Sequence, residues 1–541
     1  MEKHMKTLTL NDWPHGAAIA RWSVILLIVQ TLVLPQLRAA TTEQSATPSR
    51  ETPDGGITSA VEDGFIIEKG VFWTDVDVST SQGIVTLSGS VDNLLAKERA
   101  VKIAESIRGV RGVIDRTTVT PVSRLDEDIR KDILTALLQD PATESYQVAV
   151  SVQSGVVTLT GSVGSYAEKQ LAARIAKGVK GSNEIRNDVT INYPAGRTDT
   201  EIDADVKARL QWDVWINGNM INTAVKESKV TLTGTVGSAI SKSRAFEDAW
   251  INGVSAVDAS GLQVEPWARE DARRKMKYAD TSDSEIMQAV VAAFHLDPRV
   301  SAFSPNVTVE GGVVILGGAV GNLKAKTAAE QDARNVVGVW QIDNLLKVKP
   351  KGRTTDAEME KQLKAALLWD PLLNSSTIDV AIINRIAYLS GAVDSTFQQA
   401  EVQDVASRTK GVLLVRNRLK VEPEYSITYN DWPYSSYDGG TYYGDSGIYH
   451  NQPPAVISET FGPQAYLTDE QIKRKIEHAF FWSPFVDRED ITVNVHGGVA
   501  TLTGTIGTSI GWGEADQDAR KSGAAYVINR VEVKKGSWSW L

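Results

Sequence analysis

The 541-residue chain contains no cysteine. That absence excludes disulfides, thiol catalysis, cysteine-bound zinc and a lipoprotein-type cysteine anchor. It leaves the redox compartment open, because an oxidising space permits disulfides without requiring them. Histidine is scarce: His4, His15, His295, His450, His478 and His496 are the full set, and none forms a metal-ligand pair at helical spacing. Positive charge is in deficit, with 57 Lys and Arg against 67 Asp and Glu. The chain therefore lacks the basic excess that neutralises phosphate, and nucleic acid is not an expected partner. Long hydrophobic runs are missing apart from Trp22–Leu34, which Ser23, Gln30 and Thr31 interrupt. That run is short for a membrane span and suits the apolar region of a signal peptide, with Leu37-Arg38-Ala39 as a small-residue cleavage site. The expectation is a signal peptide over 1–39 and export to the periplasm. The alternative is anchorage to the inner membrane by 22–34.

What the chain does have is one phrase written six times. It reads Val-Thr-Leu-Ser-Gly-Ser-Val at 85–91 and Val-Thr-Leu-Thr-Gly-Ser-Val at 157–163, and it returns at 230–236, 314–320, 387–393 and 500–506. Its glycines are Gly89, Gly161, Gly234, Gly318, Gly391 and Gly504. Self-similarity at a spacing of about 70 residues marks a small module used repeatedly, each near the lower size limit for an independent core.

The second copy shows the plan. Ile129, Ile133 and Leu137 fall on one helical face, and Asp140-Pro141 ends that helix. Val148, Val150 and Val152 alternate with polar residues, Gln153-Ser154-Gly155 turns the chain, and Val157 and Leu159 lead to Gly161. A second helix carries Leu171, Ile175 and Val179, and Ile185, Val189 and Ile191 make a last strand. The fold class is α+β: a tandem repeat of six small αββαβ modules, each a three-stranded sheet with two helices on one face. Four residues after each phrase glycine stand Asn93, Ser165, Ser238, Asn322, Ser395 and Thr508, all good helix N-caps. Further on come Gly109, Gly181, Gly253, Gly338, Gly411 and Gly523, suited to a helix C-terminus. The first copy carries Gly64 in its first helix, which is expected to be the shortest or most frayed. Ser228 and Arg385 replace the hairpin-turn glycine in copies three and five, which predicts a different turn type there.

The combination of Leu/Trp-Asp-Pro, a turn glycine before Val-Thr-Leu-x-Gly-x-Val, and Gly-Val-x-x-Val-x-Asn resembles the BON domain family of OsmY-like periplasmic proteins. The resemblance spans nearly all of 55–536 except the linkers. It implies a periplasmic or envelope setting, a connection with osmotic stress, and phospholipid binding. The expected organisation is a signal peptide or anchor at 1–39, a polar linker at 40–54, and modules at 55–122, 124–194, 198–266, 282–350, 354–423 and 468–536. A charged linker covers 267–281, a Tyr/Gly-rich linker 424–467, and a tail 537–541.

Chemistry is thin. Gly161-Ser-Val-Gly164 and its counterparts sit between strand and helix like a phosphate-binding loop, but no Gly-Lys-Ser/Thr follows, so a strand–turn–cap connector is expected. No carboxylate pair recurs beside a nucleophile, and the chain is expected to be no enzyme, with no cofactor, metal or small-molecule substrate. The aromatics are the candidate contacts. Trp212, Trp369 and Trp482 each stand at the end of a first helix, and Phe480 and Phe481 precede the last of them. They either roof their own module's core or touch a membrane or partner, where tryptophan combines an apolar body with a polar N–H. The expected function is binding of phospholipid surfaces or envelope proteins, strengthened by multivalency. The alternative is a periplasmic chaperone or interaction scaffold.

Overall fold

A computed structural model describes residues 52–533 except 69–74, 141, 144–145, 194–195, 269–280, 302, 351, 423–466, 484–485, 487–489 and 508. The expected signal peptide, the Tyr/Gly-rich linker except Leu467, the C-terminal tail and most of the polar and charged linkers lie outside the described residues. All six modules fall within one compact unit, 49–541.

Each module opens with a helix: Asp54–Glu68, Asp126–Gln139, Asp199–Trp212, Asp283–Leu296, Asp356–Trp369 and Asp469–Trp482. Capping boxes start four of them, pairing Thr198 with Glu201, Ser282 with Glu285, Thr355 with Glu358 and Thr468 with Gln471. An antiparallel hairpin follows, as in Gln147–Gln153 with Val156–Val163. A second helix such as Tyr166–Lys177 then crosses back, and a last strand such as Glu184–Ile191 runs parallel to the second hairpin strand. The second hairpin strand is therefore central in each module's main sheet. Antiparallel strands can join through two residues, whereas the parallel pair needs the helical crossover.

The buried face of each sheet meets both helices. In module 2, Val157, Leu159 and Val163 point to the same core as Ile129, Ile133, Ala172 and Ala176. The caps act as their side chains allow. Asn93, Ser165, Ser238, Asn322 and Ser395 each accept a backbone N–H from the first turn of the second helix. The late asparagines tie the last strand to that helix: Asn187, Asn344, Asn417 and Asn529 donate to the carbonyls of Lys169, Lys326, Gln399 and Trp512 at 2.9–3.0 Å. Module 3, with Ala259 at this place, has a register shift between Thr231 and Thr233 instead.

Two expectations are corrected. The first helix of module 1 is 15 residues long, while the other five have 14. Gly64 is a close-packing position rather than a breaker, since a Cβ there would meet Ile103 Cγ2 at 2.7 Å. The hairpin turns of modules 3 and 5 are not of another kind. Glu227 and Ser228 have φ of 51° and 61°, Asn384 and Arg385 have 53° and 64°, and Ser154 and Gly155 have 52° and 76°. All are two-residue turns with both central residues left-handed, the geometry that matches strand twist.

Candidate functional site

A clamp missed in the sequence explains how non-glycine residues hold that turn. The first residue of every first helix is aspartate: Asp54, Asp126, Asp199, Asp283, Asp356 and Asp469. Each carboxylate accepts the backbone N–H groups of both central turn residues, at 2.7–3.1 Å. The signal was present as an aspartate 35 residues before each phrase glycine. It reads as an ordinary acidic helix start, which conceals its second task.

The helix-end aromatics join modules far apart in sequence. Trp482 of module 6 packs against the core of module 1, and its carbonyl accepts from Arg108 N–H at 3.0 Å. Trp369 of module 5 packs against the core of module 2, and its carbonyl accepts from Lys180 N–H at 2.8 Å. Trp212 of module 3 packs against the core of module 4, and its carbonyl accepts from Val337 N–H at 2.9 Å. In return, Leu296 of module 4 packs against the core of module 3. The modules thus pair in nested order: first with sixth, second with fifth, third with fourth. Phe480 is buried in its own core, whereas Phe481 stays 39% exposed, edge-on to Trp482 and 5.9 Å from the Arg108 guanidinium.

Lateral contacts complete the assembly. Modules 1 and 2 are bridged by the Lys177–Glu98 ion pair. Modules 2 and 3 stack Tyr166 on Trp250, with ring centres 3.9 Å apart. Modules 1 and 3 meet where Ala239 enters the first core and Ser243 donates to Glu105 at 2.7 Å. Each of the first three modules therefore touches the other two. The second helices of modules 4 and 5, and of modules 5 and 6, also pack together.

Charge collects at these junctions. The helix-end aspartates Asp140, Asp213, Asp297 and Asp370 each accept the N–H two residues on, at 2.7–2.9 Å, turning the chain out of the helix. Burial, then the neighbouring Asp213 charge, pushes Asp248 up to about 7, against the pull of Arg209 and Arg244. Burial, then Asp297, pushes Asp332 up to about 8. Burial, then Glu401, pushes Asp370 up to about 7. Across the junction of modules 1 and 6, burial and then Glu62 push Asp63 up to about 6. Arg99 of module 1 lies 3.7 Å over the Phe397 ring of module 5.

His478 accepts from Trp482 Nε1 at 3.0 Å and is committed to the junction. Among the described residues no group of three or more metal-ligating side chains could hold a metal ion, and no helix is long and apolar enough to cross a membrane.

Six three-stranded α+β modules clasped in nested pairs define a tandem-repeat protein whose repeated residues are structural. The chain belongs to the BON domain family, matched at 53–121, 125–193, 198–266, 282–350, 355–423 and 468–535. It is similar to Osmotically-inducible protein Y of Escherichia coli (strain K12), with 34% identity over 143 residues covering 25% of this chain and 71% of the relative. Two solved structures of CdsD, a structural protein of the Type III secretion system of Chlamydia trachomatis, match at 16% identity. They cover 40% of this chain and 97% and 100% of theirs, at TM-scores of 0.11 and 0.12, too low to carry an argument.

Proposed function

We propose that this is an exported, non-enzymatic protein of the cell envelope that binds phospholipid surfaces and serves in osmotic stress. Its relationship to an osmotically inducible protein supports the setting. The observation that carries the surface reading is an apolar side chain left exposed at one repeated place, the penultimate residue of a first helix. Leu138 is 65% exposed, Leu368 66% and Phe481 39%. Two of these have a cation from the paired module beside them. Lys180 Nζ donates to the Leu368 carbonyl at 3.2 Å, and Arg108 lies over Phe481. An apolar tip with a neighbouring cation suits the boundary between acyl chains and headgroups.

This places the lipid contact one residue before Trp212, Trp369 and Trp482, whose rings are engaged at the junctions. Vesicle co-sedimentation tests it. The chain lacking residues 1–39 is expected to sediment with phosphatidylethanolamine–phosphatidylglycerol vesicles, and the triple variant Leu138→Ser, Leu368→Ser, Phe481→Ser to remain in solution. Absence of binding by the parent chain at every salt concentration would overturn the lipid reading. Equal binding by the triple variant would overturn the assigned contact.

A further inference from the structure

The junction between modules 3 and 4 holds more acid than base in a place water hardly reaches. Asp213 and Asp248 stand on module 3, and Asp297 and Asp332 occupy the same offsets on module 4. Their side chains are 1%, 7% and 10% exposed for Asp213, Asp248 and Asp297, and Asp332 has a fully buried Oδ2. Three guanidinium groups face them. Arg209 Nε donates to Asp248 at 3.0 Å and Arg244 Nε to Asp213 at 2.6 Å, while Arg299 Nε bonds both oxygens of Asp297 at 2.9 and 3.0 Å. Arg209 and Arg244 also act on Asp332 across the junction. Arg244 is shared with Glu247, and Arg299 with Asp404 of module 5.

Asp248 Oδ2 and Asp332 Oδ2 are buried and meet no N–H or O–H donor. Asp248 lies within hydrogen-bonding reach of Asp213. A proton held between two carboxyls supplies the missing donor, and removing it leaves like charges facing each other in a medium of low dielectric. The bonds that close the junction lie beside these groups. Val214 N–H donates to Asn335 O at 2.9 Å, Val337 N–H to Trp212 O at 2.9 Å, and Trp215 Nε1 to Asn335 Oδ1 at 3.0 Å. Asp213 stands between Trp212 and Val214, and Asp332 is one helical turn before Val336.

We propose that this junction is a proton-operated clasp, closed when protons are shared among Asp213, Asp248, Asp297 and Asp332 and loosened when those protons are withdrawn. The sense follows from linkage. Asp248 and Asp332 bind protons more tightly in the closed junction than in water, so their support is complete below the ordinary carboxylate range. It falls as pH rises towards about 7 for Asp248 and about 8 for Asp332, and changes no further above that.

Hydrogen exchange of the whole chain, read by mass spectrometry and corrected for intrinsic exchange chemistry, tests the clasp without lipid or ligand. Protection at the Val214 and Val337 amides is expected to drop at least about tenfold between pH 5 and pH 8, with the module 1 hairpin unchanged. The variant D248N/D332N places neutral carboxamides where protons were held, and its drop is expected to be under roughly threefold. If that variant fails to fold, D332N alone is expected to show an intermediate drop. Equal wild-type protection at the two pH values would overturn the proposal. So would a wild-type pH response in the folded variant.

Discussion

Gly161 and Gly318 hold the same place in the same phrase, yet their surroundings differ. A Cβ on Gly161 would lie 1.9 Å from the Gln147 carbonyl oxygen, whereas the nearest atom to one on Gly318 is Asn306 N at 3.8 Å. In module 2 the central strand runs unbroken from Val156 to Val163; in module 4 it stops at Gly317 and resumes at Ala319. A shared motif secures the same path but not the same tightness. The larger contrast, between module interiors and module junctions, follows that pattern. Interiors repeat the same caps, clamps and core positions, while junctions use whatever stands at the first-helix end: Trp212, Leu296, Trp369 and Trp482.

The sharpest way to break the comparison is alanine at the two glycines. Gly161→Ala is expected to cost about 4 kcal/mol, because backbone must move to clear the Gln147 carbonyl. Gly318→Ala is expected to cost about 1 kcal/mol, the penalty of its positive φ alone. Urea unfolding followed by circular dichroism separates them. Similar losses would mean that the phrase is equally tight in both modules.

Trp369→Ala comes next, at about 2–3 kcal/mol, since the ring is half-buried rather than fully enclosed. The effect should be local. Exchange at the Lys180 amide, which donates to the Trp369 carbonyl, should accelerate, while the 147–163 hairpin keeps its protection. Loss of protection throughout module 2 would assign Trp369 to that module's own stability.

Removing a turn clamp is a smaller perturbation. Asp126→Ala is expected to cost about 1–2 kcal/mol by leaving the Ser154 and Gly155 N–H groups without their acceptor. The smallest change has the opposite sign. Ser228 has φ of 61°, so Ser228→Gly is expected to stabilise module 3 by about 1 kcal/mol. A lower melting temperature for that variant would show that the Asp199 clamp already removes the backbone strain.

The modules were legible because their instructions are local. Periodicity around Ile129 and Val148, caps four residues after each phrase glycine, and the later glycine at the helix end all act within a few residues of themselves. The clamp was written just as regularly, but a carboxylate at a helix start has an ordinary explanation, and its hydrogen bonds reach 28 and 29 residues away. The junctions were the least legible part. Trp212, Trp369 and Trp482 share one offset, yet module 2 carries Gln139 there, and nothing near Trp482 in the sequence points to a partner more than 350 residues earlier. Nested pairing is a property of matched surfaces, and one sequence does not print which surfaces match.

The central claim is that junctions make one body of six modules, and the pairing of the first with the sixth is its most demanding case. The chain has no cysteine, so Arg108→Cys and Phe481→Cys can be introduced as the only thiols. Treated with a short bismaleimide in dilute solution, the double variant should form an intramolecular cross-link in high yield, faster than either single variant forms dimers. Cross-linking only between molecules, or none, would show modules hanging separately on their linkers and would contradict the account.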